Sequence, residues 1–450
     1  MATDQLFVLA TATIILALIA GALLRKRLDP FAPVWLFLAG YFQLYVVQAT
    51  SYREYALRVR GLDLVTSANL RALWALGWFL LVYFSGLGPA LARRLPRAPE
   101  GWSAGLVGGM APPLIAWGLV CSGVMMAQQS DDISAEENLL RQFPAFLLVA
   151  GVILLVTGRS ADRPRPLFTA MGLAVTTGYS LIWMFNGKRS HALFGVLAGV
   201  CAFYVPKGRR PNLAVMAITG VACALVVAVA LNWRNNNRYE RSVSGFLKYV
   251  SEFNVESVLV SLNVREAASV DPQAREQTSK ETEEYCAYLL MLDTVPAKSE
   301  YDYGESYVRI VSTFIPRVIW KDKPFFGRRQ WVGAWIAGSE FHRDERFTGP
   351  AVGILGAAQL NGGAVATVVV LGVLATMIRT AYEYFRVYSH TTWAQAWWSL
   401  TYFNAWLMTA NDDPFVWFYY IYGFAILPPM AFLWLANRLG APRVGTVPLS

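Results

Sequence analysis

The chain alternates between long apolar runs and short polar connections, and the alternation lapses once, over a polar stretch from Arg234 to Thr348. The apolar runs lie at 5–24, 31–50, 71–92, 102–127, 140–158, 166–185, 191–205, 212–233, 361–379, 391–410 and 415–437. Most hold about 20 residues, the length an α-helix needs to cross a hydrocarbon core of about 30 Å. The pattern predicts an all-α polytopic membrane protein with about 11 transmembrane helices. Composition agrees: 55% of residues are hydrophobic and 15% charged, which excludes the soluble globular class. Trp233 and the Trp417-Phe418-Tyr419-Tyr420 run sit at ends of apolar runs, where interfacial belts form.

Charge fixes the expected orientation. Six connections are basic, carrying Arg25-Lys26-Arg27, Arg93-Arg94-Arg97, Arg159-Arg163-Arg165, Lys207-Arg209-Arg210, Arg379-Arg386 and Arg438-Arg443. The alternate connections carry Asp131-Asp132-Glu136-Glu137, Asp412-Asp413 and the large loop. If all eleven runs cross, every basic connection falls on one side, so the N-terminus and the large loop lie outside and the C-terminus in the cytoplasm. No basic region precedes the first run, and Arg25-Lys26-Arg27 follows it, so it reads as a retained span. Residues 51–70, with Arg53, Arg58 and Arg60 among apolar residues, are expected along the outer interface. Pro112-Pro113 predicts a kink or break in the fourth run. The expected organisation is a membrane bundle of about eight spans over 1–233, the outer loop over 234–348, about three spans over 349–440 and a cytoplasmic tail over 441–450. No internal repeat is visible, so neither a solenoid nor an inverted-repeat transporter is supported.

The large loop is charge-segregated. Arg234, Arg238, Arg241 and Lys248 lie near one membrane junction, and Arg309, Arg317, Lys321, Lys323, Arg328 and Arg329 near the other. Between them the stretch from Glu252 to Glu305 is acidic. Cations held where a loop meets the bilayer suit an anionic headgroup carried by a lipid. The net charge of +9 does not point to nucleic acid, because the loop is almost neutral and the basic excess sits in short connections. Phe246, Tyr249, Val250, Phe253 and Val258 recur at near-helical spacing, as do Tyr307, Val308, Val311, Phe314 and Ile315, so the loop should carry two amphipathic helices. Pro316 ends or kinks the second, and residues 263–282 read as a flexible excursion.

Five constellations could carry chemistry. Asn186-Gly187-Lys188-Arg189-Ser190-His191 places two cations and a histidine at an outer turn, against the charge rule. It reads either as a snorkelling hairpin or as a substrate-facing group built on Lys188 and Arg189. Arg317, Lys321 and Lys323 lie in a segment bracketed by Pro316 and Pro324, fit to bind a diphosphate through bidentate contacts or to rest on anionic headgroups. Arg234, Arg238 and Arg241, at spacings of four and three, form a basic stripe on a helix that either anchors the loop or meets substrate. Glu305, His342 and Asp344, with Glu340 and Glu345 beside them, are candidates for a general base that deprotonates a sugar hydroxyl. Gly353 to Gly363 is glycine-rich and polar-dotted, which predicts a re-entrant or broken helix over 349–360 with Gln359 and Asn361 facing polar substrate, or else close helix packing through small residues. The four cysteines are scattered, and no paired Cys/His spacing, phosphate loop, nucleophile elbow or Rossmann glycine pattern occurs, so no metal and no cofactor is expected.

The arrangement resembles the Wzy-type oligosaccharide repeat-unit polymerases, which share an architecture with O-antigen ligases. The Gly-x-Arg-Ser turn of that family is matched by Gly187-Lys188-Arg189-Ser190, and its Ile-Pro-Arg…Trp…Lys-Pro stretch by Ile315-Pro316-Arg317, Trp320 and Lys323-Pro324. A later Gly-Glu-x-Tyr-x-Asn-Phe-Gly segment is matched only by Gly356, Leu360, Asn361 and Gly363, with Ala357 and Gln359 where Glu and Tyr stand in the family. The resemblance implies a glycosyltransferase of the bacterial inner membrane whose periplasmic loop helps to polymerise undecaprenyl-pyrophosphate-linked oligosaccharides into O-antigen or exopolysaccharide. It implies membrane lipids as surroundings, and a chain-length regulator and flippase of the same pathway as partners. The alternatives are a ligase that passes a finished glycan to another acceptor, a lipid-linked glycan flippase and a non-enzymatic assembly scaffold.

Overall fold

The computed structural model describes residues 2–26, 28–127, 143–160, 164–208, 210–235, 239–240, 242–253, 283–305, 307–308, 315, 319–322, 351–410 and 426–440, without the side chains of 231, 234, 235 and 410. Among the described residues the ordered elements are helical and none is a strand. Seven of these helices are long and apolar enough to cross a membrane: Thr3–Leu24, Leu62–Phe84, Ala104–Met126, Pro166–Phe185, Arg189–Lys207, Leu213–Ala230 and Gly353–Tyr388. Two of them leave broad apolar faces uncovered by protein. Leu6, Leu9 and Leu16 are exposed on the first, and Leu213, Ile218, Val221 and Leu225 on the sixth. Faces of that extent in water would be costly, and they are what lipid covers. The chain folds as two compact units.

One unit comprises Met1–Leu95, Ala267–Tyr384 and Tyr402–Tyr419. Its centre is the helix Leu62–Phe84, which packs on Thr3–Leu24, the short helix Arg53–Arg60 and the helix Glu284–Thr294. Phe37 stacks on Phe79 at 3.7 Å between ring centroids, and the Tyr41 hydroxyl donates to the Ala72 carbonyl at 2.6 Å. The predicted run 31–50 is helix over Pro33–Phe42, a π-helical turn over Gln43–Gln48 and helix again over Ala49–Ser51. The third span differs from its expected limits of 71–92. Gly61, at φ 80°, ends Arg53–Arg60 and opens a helix that runs from Leu62 to Phe84, so residues 62–70 belong to the span and only Arg53–Arg60 forms a separate helix. Asp4 joins that short helix to the first span through Arg53 at 2.6 Å.

The other unit comprises Pro96–Glu266, Phe385–Thr401 and Tyr420–Ser450. At its centre lies Ala145–Gly158, apolar on every side and buried from Leu147 through Gly158, as a helix enclosed by neighbours must be. Ala104–Ala127, Pro166–Phe185, Arg189–Tyr204 and Thr392–Thr401 enclose it. Gly151 and Gly172 allow the backbones of Ala145–Gly158 and Pro166–Phe185 to meet. The fourth run forms one helix without a break through Pro112 and Pro113. The predicted helix near Phe246 is present as Val243–Glu252, with the Ser242 hydroxyl accepting the Gly245 N–H and with Phe246 and Tyr249 buried.

Candidate functional site

The helix Gly353–Tyr388 is broken at Gly362 and Gly363. Gly363 sits at φ 64°, and a Cβ there would lie 2.9 Å from the Tyr301 hydroxyl, so glycine suits both the backbone and the space. The break frees backbone groups that a continuous helix would satisfy, and a segment from the loop takes them up. The Asp302 N–H donates to the Leu360 carbonyl at 2.8 Å. Asn361 accepts the Gly304 N–H at 3.1 Å and donates to the Ala357 carbonyl at 2.8 Å. Asp302 is buried, whereas Glu305, whose N–H bonds the Asp302 carbonyl at 2.8 Å, is exposed at the end of the clasp. A carboxylate is thereby presented on backbone fixed to the broken helix.

One turn before the break, Gln359 meets a residue that is not among those expected at the site. Arg71, on Leu62–Phe84, donates through Nη1 to the Gln359 amide oxygen, and the Gln359 amide nitrogen donates to the Val295 carbonyl. The Nε of Arg71 is buried with no hydrogen-bond partner. Other arginines of this unit have acids: Arg53 has Asp4, and Arg60 has Asp293 at 3.1 Å, which Lys298 also reaches at 3.0 Å. Among the described residues no carboxylate pairs with Arg71. Tyr285 and Tyr288 are no substitute counterions, because burial holds both phenols well above the ordinary tyrosine range. They stay neutral, Tyr285 donating to Asn69 at 2.8 Å and Tyr288 to the Ala68 carbonyl at 3.3 Å. The signal in the sequence was a single cation at the head of the apolar stretch from Ala72 to Phe84, and an ionisable residue within a span is a usual mark of function in a membrane.

Lys188 and Arg189 lie in the other unit, on the turn between two spans. Gly187, at φ 66°, ends Pro166–Phe185, with its N–H on the Met184 carbonyl and the Lys188 N–H on the Trp183 carbonyl, both at 2.9 Å. Both cations are exposed there. His191 stacks on Trp183 at 4.3 Å, which directs this histidine inward rather than into the cationic turn. Trp233 donates to the Phe185 carbonyl at 2.6 Å and so fixes the end of the helix from which the turn springs.

Of the other expected site residues, Gln359 and Asn361 are 5% and 7% exposed and are occupied by protein partners, which suits positioning rather than open contact. Lys321 is exposed in a turn with Asp322. Arg234 falls on the last turn of Leu213–Asn235, its side chain outside the description. Arg238, Arg241, Arg317, Lys323, His342 and Asp344 lie outside the described residues. Among the described residues no group of three or more His, Cys, Asp or Glu side chains is placed to hold a metal. No protein-family model, curated protein or solved structure matches the chain.

Proposed function

We propose that the protein is a membrane glycosyltransferase that joins lipid-linked oligosaccharide repeat units at the outer face of the bacterial inner membrane. The observation that supports this reading best is the clasped break at Gly362–Gly363. Non-helical backbone within an apolar bundle is tolerated where it packs in protein or lines a polar cavity, and here it holds a segment ending in the exposed carboxylate of Glu305. The reading takes eleven spans, with the N-terminus and the loop 234–348 outside and the C-terminus in the cytoplasm.

In the proposed reaction a hydroxyl of one lipid-linked glycan attacks the anomeric carbon of a second, whose leaving group is undecaprenyl pyrophosphate. The new C–O bond forms as the bond from that carbon to the diphosphate oxygen breaks. The hydroxyl proton passes to a carboxylate or imidazole, for which Glu305, Asp344 and His342 are the candidates. The departing diphosphate gathers negative charge, and the candidates to neutralise it are Arg317, Lys321 and Lys323 on one unit or Lys188, Arg189 and the Arg234, Arg238 and Arg241 stripe on the other. Because the donor already carries a good leaving group, the scheme uses neither a nucleotide nor a metal.

The test is a size analysis of lipid-linked and surface glycans in a deletion strain complemented with wild type, Arg189→Ala or Arg317→Ala. Loss of long chains in both variants, with single repeat units accumulating on the carrier or capped at the surface, is the expected result. Long chains made but stranded on the carrier would indicate a ligase. Repeat units trapped at the cytoplasmic face would indicate a flippase, and unchanged chains in both variants a scaffold.

A further inference from the structure

We infer that Arg71, aimed by Gln359, is an anion-binding group inside the membrane bundle, and that its ligand is the phosphate of a lipid-borne diphosphate. This deepens the reading above, on which the choice of lipid-borne ligand rests. A guanidinium at bilayer depth is retained where a compensating charge or hydrogen-bond partners offset its desolvation. Arg71 lies ten residues into a span that begins at Leu62, on the order of 13 Å along the helix axis at 1.5 Å per residue. Its partner among the described residues is the neutral amide of Gln359, and its Nε finds none. A half-buried cation whose buried Nε is an unspent donor, with no acid beside it among the described residues, is complementary to an anion that arrives from elsewhere.

Among the described residues no carboxylate fills that place, and the geometry around Arg71 suits an oxyanion. Gln359 cannot swing freely, because its own amide nitrogen is bound to the Val295 carbonyl. That bond turns the Gln359 oxygen toward Arg71 and leaves the rest of the guanidinium fork in a set direction. A planar fork held from one side presents its remaining N–H groups together, the geometry that engages two oxygens of a phosphate. Gln359 is thus a positioning residue, and the broken helix that carries it ends two residues later at the clasp. The shared chemistry, a phosphate oxyanion, could come from a polyprenyl diphosphate or from free pyrophosphate. Depth in an apolar span favours the lipid-borne form, whose tail follows the bilayer.

The experiment uses the purified full-length protein in detergent, with three probes: farnesyl diphosphate, inorganic pyrophosphate and farnesol. Affinity is measured for wild type, Arg71→Lys, Arg71→Gln and Gln359→Leu, each checked for monodispersity and melting temperature. The expected result is farnesyl diphosphate binding weakened at least about tenfold in both Arg71 variants, the loss of one charge-assisted bidentate contact. Gln359→Leu should weaken it less, and farnesol should be indifferent to all three substitutions. Arg71→Lys separates ligand from scaffold, since a purely structural arginine would lower the melting temperature and leave affinity alone. Pyrophosphate binding as tightly as farnesyl diphosphate would overturn the lipid-borne assignment. Unaltered affinity in folded Arg71 variants, or no binding of any anion by wild type, would overturn the site. Glycan sizing of the same variants keeps this apart from the transferase reading. Arg71-dependent binding with long chains unchanged in Arg189→Ala and Arg317→Ala retains the site and removes the reading, whereas Arg71-independent binding with Arg317→Ala still blocking long chains does the reverse.

Discussion

Gly172→Leu is expected to abolish recovery of folded protein in detergent, while Gly220→Leu leaves it intact. Both glycines lie on apolar helices, so hydropathy does not distinguish them. A Cβ on Gly172 would meet the Gly151 carbonyl oxygen and the Leu155 amide nitrogen at 2.8 Å, and the Leu155 side chain at 2.7 Å. Two of those three atoms are backbone and cannot rotate away. Overpacking a well-fitted interior costs about 1–3 kcal/mol where side chains can yield, and here the helix pair itself must separate. The helix that would be displaced against Pro166–Phe185 is Ala145–Gly158, the buried centre of its unit, so one added side chain would be felt by every helix packed on it. Gly220 has open space where its Cβ would go. Size-exclusion profiles after solubilisation decide the matter, and equal monodisperse peaks for the two variants would show that this helix crossing is not held by glycine.

The second large effect is expected at Trp233. It is fully buried, donates to the Phe185 carbonyl at 2.6 Å, and is packed by Phe246 at 5.1 Å and Tyr249 at 5.4 Å between ring centroids. Trp233→Ala should destabilise its unit by about 3–5 kcal/mol, the range for deleting a large aromatic side chain from a core. Trp233→Phe keeps most of the ring and loses chiefly the hydrogen bond, about 1 kcal/mol. The pair also bears on function. Phe185 is the residue before the Asn186–Ser190 turn, so releasing its carbonyl loosens the base on which Lys188 and Arg189 stand. Melting in detergent should therefore rank wild type above Trp233→Phe, and Trp233→Phe well above Trp233→Ala. A melting point for the alanine variant equal to that of the phenylalanine variant would contradict the packing described.

The helical membrane character was legible because it depends on run length and composition. Pro166–Phe185 occupies the same residues as the predicted run, marked by a proline at its start and an Asn-Gly turn at its end. A broken helix was one of two readings of Gly353 to Gly363, but it was expected over 349–360 and the break lies at Gly362 and Gly363. The third span was misplaced because Asp63, Asn69 and Arg71 lower its hydropathy, and nothing local shows that Asn69 meets Tyr285 or that Arg71 meets Gln359, 288 positions along the chain. Long-range hydrogen bonding made those residues tolerable in a span, and it has no periodicity to read. For the same reason Gln359 and Asn361 could be expected near the site, while their occupation by Arg71, Val295, Ala357 and Gly304 could not.

The proposed transfer of a glycan from a polyprenyl diphosphate to a second lipid-linked glycan should need no protein beyond this chain. The most direct measurement incubates the purified protein with undecaprenyl-pyrophosphate-linked repeat units, without nucleotide and with EDTA present, and resolves the products by size. The expected product is a ladder rising by whole repeat units, with one undecaprenyl pyrophosphate released per joint formed and no ladder from Arg317→Ala. Repeat units recovered unchanged from protein that is folded and binds them would contradict it.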